Sequence, residues 1–267
     1  GVDGVPLRIR LHVEGEPVRK FEVASEAAGN QVTASRRTPG FIYFSARVQD
    51  RAIRKGTGRL SIGVALAPQQ IEQARPEPED FDTFWAGEIE KLNAVPVRAE
   101  RTPVTPDSER SARYADSVKC WRVRIDCAGP RQAFGYLTMP AGAAPGSLPA
   151  RVIYPGAGIH PIKPDWASAA SGFLTLAVNI HGVEPEGTEA ELLAKLKDQK
   201  YYTAQGWEDR ETVYFHDGFL RSLRALQYLK GLPEWDGEHL IASGASQGGA
   251  LALAMAGLDP DVTFCFA

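Results

Sequence analysis

The sequence has little of what several protein classes require. Its 267 residues include three cysteines, Cys120, Cys127 and Cys265, and no Cys/His spacing typical of a zinc site. No apolar run approaches the length of a membrane span. The net charge of −3 gives no reason to expect nucleic acid or a membrane surface as a partner. We therefore expect an ordinary soluble globular protein with buried thiols and without a metal site.

Residues 239–258 contain the most informative pattern in the sequence. Leu240, Ile241 and Ala242 form a short apolar run that is typical of a strand buried on both faces. Residues 244–248 follow with the pattern G-x-S-x-G, and the Ala/Leu-rich segment after them has good helix propensity. A strand, a glycine-flanked turn and a helix are the context of the nucleophile elbow in α/β-hydrolases.

Ser246 is the candidate nucleophile of this turn, because a sharp strand-to-helix turn exposes the serine hydroxyl and needs small neighbours. The backbone N–H of Gln247 is the natural first oxyanion donor. For the second donor we expect the amide of Ala157, within the glycine-containing residues 155–158 after an earlier predicted strand. The alternatives are a βα turn in which Ser246 only caps the helix, and a tight strand-end turn at residues 155–158.

The general base is not evident. α/β-Hydrolases have the order Ser, then Asp or Glu, then His, but no histidine follows Ser246 and the only later acidic residues are Asp259 and Asp261. His160 and His181 lie at predicted strand ends and could approach the pocket as noncanonical bases. We favour the hypothesis that the sequence is truncated, so that a later segment supplies the Asp and the His.

Two domains are predicted. Residues 1–70 are expected to form a small all-β sandwich, because short alternating segments recur between turn signals. The predicted strands cover residues 7–13, 18–23, 31–35, 41–48 and 60–66. Residues 71–267 are expected to form an α/β-hydrolase domain that is incomplete at its C-terminus. Strands alternate with helices in its second half, which predicts a mostly parallel sheet.

A long segment at residues 182–212 follows the C-terminal end of a predicted strand, where ligands bind in α/β proteins. It contains one predicted helix, residues 189–196, and several aromatic side chains. We interpret it as a lid or pocket wall, and a packed surface loop is the alternative. The candidate pocket residues are His160, His181, Tyr202 and Trp207.

Three stretches together resemble the acetyl xylan esterases and cephalosporin deacetylases, that is, carbohydrate esterase family 7 and its relatives. These stretches are PEDFDTFW at residues 78–85, LPEWDG at 232–237 and GASQGGALA at 244–252. The resemblance covers residues from about 76 to 267. Residues 1–70 resemble the extra N-terminal β domain of some longer relatives.

The resemblance implies removal of acetyl groups from small acetylated sugars or xylo-oligosaccharides, through an acyl-enzyme on Ser246 and without a cofactor. It assigns the Gln247 amide to the oxyanion hole. In this chain, residues 155–157 stand in place of a His-Gly-Tyr-type loop, and His181 with Gly182 stands in place of an Arg-Gly pair. These departures leave the acyl specificity open.

The expected partner is therefore a small acetylated carbohydrate, and a homo-oligomer is a weaker expectation from the relatives. A secreted or periplasmic protein that has lost its signal peptide is favoured over a cytoplasmic one. A prolyl-oligopeptidase-like peptidase is the alternative enzyme, although no propeller-length repeat precedes the elbow. A non-catalytic carbohydrate-binding protein is the alternative from another class, and the missing histidine favours it.

Overall fold

The computed structural model describes residues 3–49, 58–73, 75–130, 132–197 and 201–267. The chain forms two compact units, Gly1–Pro78 and Glu79–Ala267. That the two units are independently folding domains, with a boundary near residue 70, stays a prediction.

The first unit contains a four-stranded antiparallel sheet with the strand order β2-β1-β3-β4. Its strands are β1 (Pro6–Val13), β2 (Arg19–Ala24), β3 (Gly40–Val48) and β4 (Arg59–Leu66). Side chains alternate between the two faces of each strand. One face is therefore apolar and includes the buried residues Ile9, Leu11 and Val13.

The prediction of a sandwich is wrong for the described residues, which form this single sheet in the first unit, and residues 31–35 are not a strand. Val32 and Ala34 are half-buried and line a groove with Leu11 and Ile42 on the apolar face. Their alternation therefore reflects packing onto a sheet face and not strand pairing. A period of two indicates alternate burial, which a loop lying on a sheet also produces.

The second unit is built around a seven-stranded sheet with the order β11-β10-β8-β9-β7-β6-β5. Its strands are β5 (Ala99–Pro103), β6 (Val118–Ile125), β7 (Ala133–Pro140), β8 (Leu148–Tyr154), β9 (Leu174–Asn179), β10 (Trp235–Gly244) and β11 (Phe264–Phe266). Neighbouring strands from β11 to β9 are parallel, and those from β9 to β5 are antiparallel.

The sheet is thus mixed, and the prediction of a mostly parallel sheet is wrong. Strands β6 and β7 form an antiparallel pair, and β7 also pairs antiparallel with β9. Strand β5 adds a further antiparallel edge, and all five of its residues are exposed. Its sequence AERTP has no apolar alternation, so its pattern gave no signal for a strand.

Helices connect many of the strands of this sheet. They are α1 (Phe81–Asn93), α2 (Glu109–Ala112), α3 (Trp166–Ala170), α4 (Glu189–Lys195), α5 (Tyr214–Lys230) and α6 (Gln247–Leu258). The main core contains Leu176 of β9, Leu226 of α5 and Leu251 of α6. Packing in this core holds β8, β9 and β10 in place, and the candidate site lies at the carboxyl ends of these strands.

Candidate active site

Ser246 occupies a strained turn between β10 and α6. Its φ is 57° and its ψ is −122°, a conformation that costs a non-glycine residue about 1–3 kcal/mol. The side chain is exposed and makes no capping hydrogen bond. By contrast, Ser108 and Thr188 do cap α2 and α4. The geometry therefore favours the nucleophile interpretation of Ser246 over that of a helix cap.

Two glycines allow this turn to close. A Cβ atom at Gly244 would lie 2.4 Å from the carbonyl oxygen of Gly248, and one at Gly248 would lie 2.4 Å from the carbonyl oxygen of Tyr154. Both distances are shorter than real Cβ contacts allow, so the N-terminus of α6 packs directly on the backbone of β8 and β10. The first amides of α6 consequently lie at the ends of two adjacent strands.

The loop at residues 155–158 runs beside the elbow, because β8 and β10 are parallel neighbours in which Tyr154 is opposite Gly244. The side-chain nitrogen Nε2 of Gln247 lies 3.4 Å from the carbonyl oxygen of Gly156. Within the described ranges, the backbone amides of Gln247 and Ala157 donate no hydrogen bond. Both therefore remain candidate donors to a developing oxyanion.

Tyr202 joins this loop to the elbow. Its hydroxyl accepts a hydrogen bond from the Gly158 amide at 2.9 Å and donates one to Oε1 of Gln247 at 2.7 Å. The side chain is only 3% exposed. Tyr202 lies in a short 3₁₀ turn, Tyr202–Ala204, within the long segment after β9. These contacts favour the pocket-wall interpretation of that segment over the surface-loop interpretation.

His181 is buried below the same loop and both its ring nitrogens have partners. The carbonyl oxygen of Gly158 lies 3.2 Å from Nε2, and the Tyr214 hydroxyl lies 2.7 Å from Nδ1. Because a carbonyl oxygen only accepts, Nε2 carries a proton, and in the neutral ring Nδ1 then accepts a hydrogen bond from Tyr214. The ring also contacts Tyr202 edge-on, with centroids 4.9 Å apart. This arrangement favours a positioning role over that of a base.

The other predicted pocket residues lie farther out. The His160 side chain is 58% exposed, and its Nδ1 lies 3.3 Å from a carboxylate oxygen of Glu189. Its ring also lies against Gly158, where a Cβ atom would be 2.1 Å from Nε2. Trp207 is 70% exposed, which places it outside the buried cluster around Tyr202.

The two acidic residues after the elbow are engaged elsewhere. Lys230 lies 2.8 Å from a carboxylate oxygen of Asp259 and 2.8 Å from one of Asp261. Asp259 is buried. The pair anchors the end of α6 to the end of α5, so neither carboxylate is placed to orient a catalytic histidine at Ser246.

Tyr214 is the site residue that the sequence reasoning missed. It begins α5 and contacts both His181 and Tyr202, with ring centroids 5.9 Å and 4.9 Å away. The aromatic pair Tyr214 and Phe215 at the start of a long helix was a detectable signal. The residues that hold the loop could not be found from spacing alone, because they come from four separate parts of the chain.

Among the described residues, no group of three His, Cys, Asp or Glu side chains is arranged to hold a metal ion. In the same ranges, no helix combines the length and apolar content that a membrane crossing requires.

A serine with positive φ, placed between the carboxyl end of a parallel strand and a helix in a mixed sheet, is typical of the α/β-hydrolase fold. Comparison with known families agrees: residues 66–267 match the family model described as acetyl xylan esterase. The chain belongs to the acetyl xylan esterase family, so the resemblance found in the sequence is confirmed.

Individual relatives have similar names. An acetyl esterase of Xylanibacter ruminicola is 34% identical over 236 residues, which are 86% of this chain and 50% of the relative. The solved acetyl xylan esterase from Paenibacillus sp. R4 is 27% identical, with a TM-score of 0.57 over 72% of this chain and 60% of that one. That from a Thermoanaerobacterium species is 20% identical, with a TM-score of 0.53 over 71% and 58% of the two chains, and shows the fold alone. The chain thus spans about half the length of the curated relative.

Proposed function

We propose that this chain is part of a serine carboxylesterase that removes acetyl groups from acetylated sugars or xylo-oligosaccharides. The observation that carries the proposal is the exposed Ser246 hydroxyl on a strained elbow, with φ of 57°, in a chain of the acetyl xylan esterase family. The names of the relatives, acetyl esterase and acetyl xylan esterase, are the basis for proposing an acetyl group and a xylan-derived carbohydrate as the two parts of the substrate.

In the proposed reaction, the Ser246 oxygen attacks the acetyl carbonyl carbon and its proton passes to a general base. The carbonyl oxygen becomes an oxyanion that the amides of Gln247 and Ala157 stabilise, each by about 3 kcal/mol. Collapse releases the sugar hydroxyl, which takes the proton, and leaves an acetyl ester on Ser246. Water then attacks that ester and releases acetate in the same geometry.

The base and its acid are assigned to a segment outside these 267 residues. Supporting this assignment, His181 has partners on both ring nitrogens, and Asp259 and Asp261 bind Lys230. The curated relative is also about twice as long as the matched region. A secreted or periplasmic location belongs to the same proposal.

The test is turnover of p-nitrophenyl acetate and of acetylated xylo-oligosaccharides by the full-length protein and its Ser246→Ala variant. Loss of the nucleophile should lower kcat by at least about a thousandfold. Ser171→Ala, an exposed serine after α3, is the matched control and should retain activity. A fluorophosphonate probe should label the wild type and the control but not Ser246→Ala. Near-full activity of Ser246→Ala would contradict the proposal.

Two other outcomes are informative about the alternatives. Cleavage of an Xaa-Pro peptide in preference to the acetyl esters would instead identify a prolyl-oligopeptidase-like peptidase. Absence of both turnover and probe labelling in the full-length protein would indicate a non-catalytic carbohydrate-binding protein.

A further inference from the structure

The polar face of the first unit's sheet carries a row of arginines on adjacent strands. Arg8 of β1 is directly opposite Arg47 of β3, and Arg47 is directly opposite Arg59 of β4. Two residues further along β1, Arg10 is opposite Lys20 of β2. Side chains directly opposite each other share a face and have Cβ atoms about 5 Å apart, and like charges at this spacing destabilise a sheet.

Few acidic side chains compensate for this charge. Arg8 forms an exposed ion pair with Glu22, at 3.1 Å. In the part of the chain that the structure describes, Arg10, Arg47 and Arg59 form no ion pair. Among the described residues, the sheet therefore holds three guanidinium groups, those of Arg10, Arg47 and Arg59, that are not ion-paired with a carboxylate.

The arginines line a groove that has an aromatic end. One cavity of about 390 Å³ is lined by Arg10, Tyr43 and Arg59, and one of about 300 Å³ by Arg10, Arg47 and Arg59. Ser45, which is 9% exposed, also lines both cavities.

Tyr43 lies at one end of this groove and is 48% exposed. It stacks on His12, with ring centroids 6.0 Å apart, and on Phe41, with centroids 5.9 Å apart. A flat ring beside paired cations can hold the apolar face of a sugar while the cations bind its anionic group.

The charge of the chain is unevenly divided. Residues 1–78 contain twelve Lys and Arg against eight Asp and Glu, whereas residues 79–267 contain eighteen against twenty-five. The first unit is therefore basic although the whole chain has a net charge of −3. A ligand attracted to the first unit by charge would be anionic.

We propose that this basic sheet face, defined by Arg10, Tyr43, Arg47 and Arg59, binds an acidic polysaccharide through its uronate carboxylates. A guanidinium fork matches a carboxylate in a bidentate geometry. Adjacent strands lie about 4.8 Å apart, so Arg47 and Arg59 on neighbouring strands present two cations at that spacing to an extended chain. The choice of a polysaccharide over another anion rests on the proposed esterase function. The expectation that the ligand is anionic rests on the arginines alone.

Nucleic acid is the competing anion, and the observations favour it less. Proteins that bind single-stranded nucleic acid commonly stack successive bases on several aromatic side chains. The groove of the basic sheet face offers one exposed aromatic ring, that of Tyr43.

The test is calorimetric titration of the full-length protein with alkali-extracted glucuronoxylan, which carries no acetyl groups. The same polymer with its carboxyl groups reduced to alcohols is the matched ligand control. We expect binding to the acidic polymer, weakened by added NaCl, and at least about tenfold weaker binding to the reduced polymer. Equal binding of the two polymers, or tighter binding of a single-stranded oligothymidylate, would overturn the proposal.

Variants locate the site. The double variant Arg47→Gln/Arg59→Gln should weaken binding at least about tenfold, and Tyr43→Ala should also weaken it. Arg19→Gln removes the same charge from the same sheet, but Arg19 is opposite Leu11 on the apolar face, so its binding should be unchanged.

Removal of like-charged neighbours should leave Tm unchanged or raise it. Loss of binding together with a clear fall in Tm would assign these arginines to stability and reject the site. Because the polymer carries no acetyl ester, none of these binding results depends on turnover. Failure of the esterase proposal would be seen separately, in the assay with acetyl esters.

Discussion

The hydroxyl of Tyr202 lies 2.7 Å from Oε1 of Gln247 and accepts a hydrogen bond from the Gly158 amide. One buried phenol thus joins the two segments that carry the candidate oxyanion amides, those of Gln247 and Ala157. Oxyanion donors act by being held in place before the reaction. Tyr202 is therefore expected to affect the reaction through positioning, without itself touching the substrate.

We predict that Tyr202→Phe in the full-length protein lowers kcat for p-nitrophenyl acetate about tenfold, with KM little changed. The loss of two hydrogen bonds should also lower the free energy of unfolding by about 1–2 kcal/mol. Tyr201→Phe is the matched control, because Tyr201 is adjacent in the chain but 77% exposed. If Tyr202→Phe lost stability while kcat stayed at the wild-type value, the role would be structural only.

The glycines of the elbow helix allow a second comparison. Gly248→Ala would place a Cβ atom 2.4 Å from the Tyr154 carbonyl oxygen, and we expect a loss of about 2–3 kcal/mol in unfolding free energy. Gly257 lies in the same helix, and a Cβ atom added there would have no atom within 4 Å apart from its chain neighbours and the backbone of its own helix. Gly257→Ala should therefore gain about 0.5–1 kcal/mol. Urea denaturation measures the unfolding free energy of both variants. An equal gain in both would show that helix propensity, and not the contact with the Tyr154 carbonyl, determines the effect of the substitution.

The elbow could be predicted from the sequence because its determinants are local. The apolar strand, the spacing of Gly244 and Gly248 around Ser246, and the helix-forming segment are consecutive, and each agrees with the others. The family stretches added a second, independent signal.

The sheet topology and the buried cluster could not be predicted in the same way. Strand β5 is polar and exposed, so only its pairing with β6 makes it a strand. His181 was correctly placed at a strand end, but its partners Tyr214 and Gly158 come from a helix start and a distant loop. Such long-range pairings are set by tertiary packing and leave no period in the sequence.

The buried position of His181 leads to a prediction that separates a positioning residue from a base. We expect His181→Gln to lower kcat by no more than about tenfold, whereas loss of a catalytic base costs about ten-thousandfold or more. Tyr214→Phe should produce a similar small decrease, because it removes the hydrogen bond to Nδ1. His160→Gln, at an exposed position, is the control and should have no effect. A loss of several thousandfold in His181→Gln would make His181 the base.

A second histidine, His216 of α5, is paired with a carboxylate away from the site. Its Nε2 lies 2.8 Å from Glu88 of α1, and its Nδ1 lies 3.7 Å from Asp217. Interaction with Asp217, and then with Glu88, raises the pKa of His216 above its usual value although burial opposes this. Burial also opposes ionisation of Glu88, but hydrogen bonds from Lys91 and His216 outweigh it, so the pKa of Glu88 is lowered.

These shifts predict how stability depends on pH. The His216 contribution is fully present below the usual histidine pKa of about 6.5 and is lost as pH rises through the raised pKa of the folded state. The Glu88 contribution is present above its usual pKa and is lost as pH falls through the lowered one. His216→Gln should therefore destabilise most between about pH 5 and pH 6.5, by about 2 kcal/mol, as expected for a hydrogen bond to a charged group, and less at pH 9. His239→Gln, whose exposed ring pairs with Asp236 at 2.8 Å, is the control and should change little. A His216→Gln effect of the same size from pH 5 to pH 9, measured by urea denaturation, would show that packing of the ring and not its charge stabilises the α1–α5 contact.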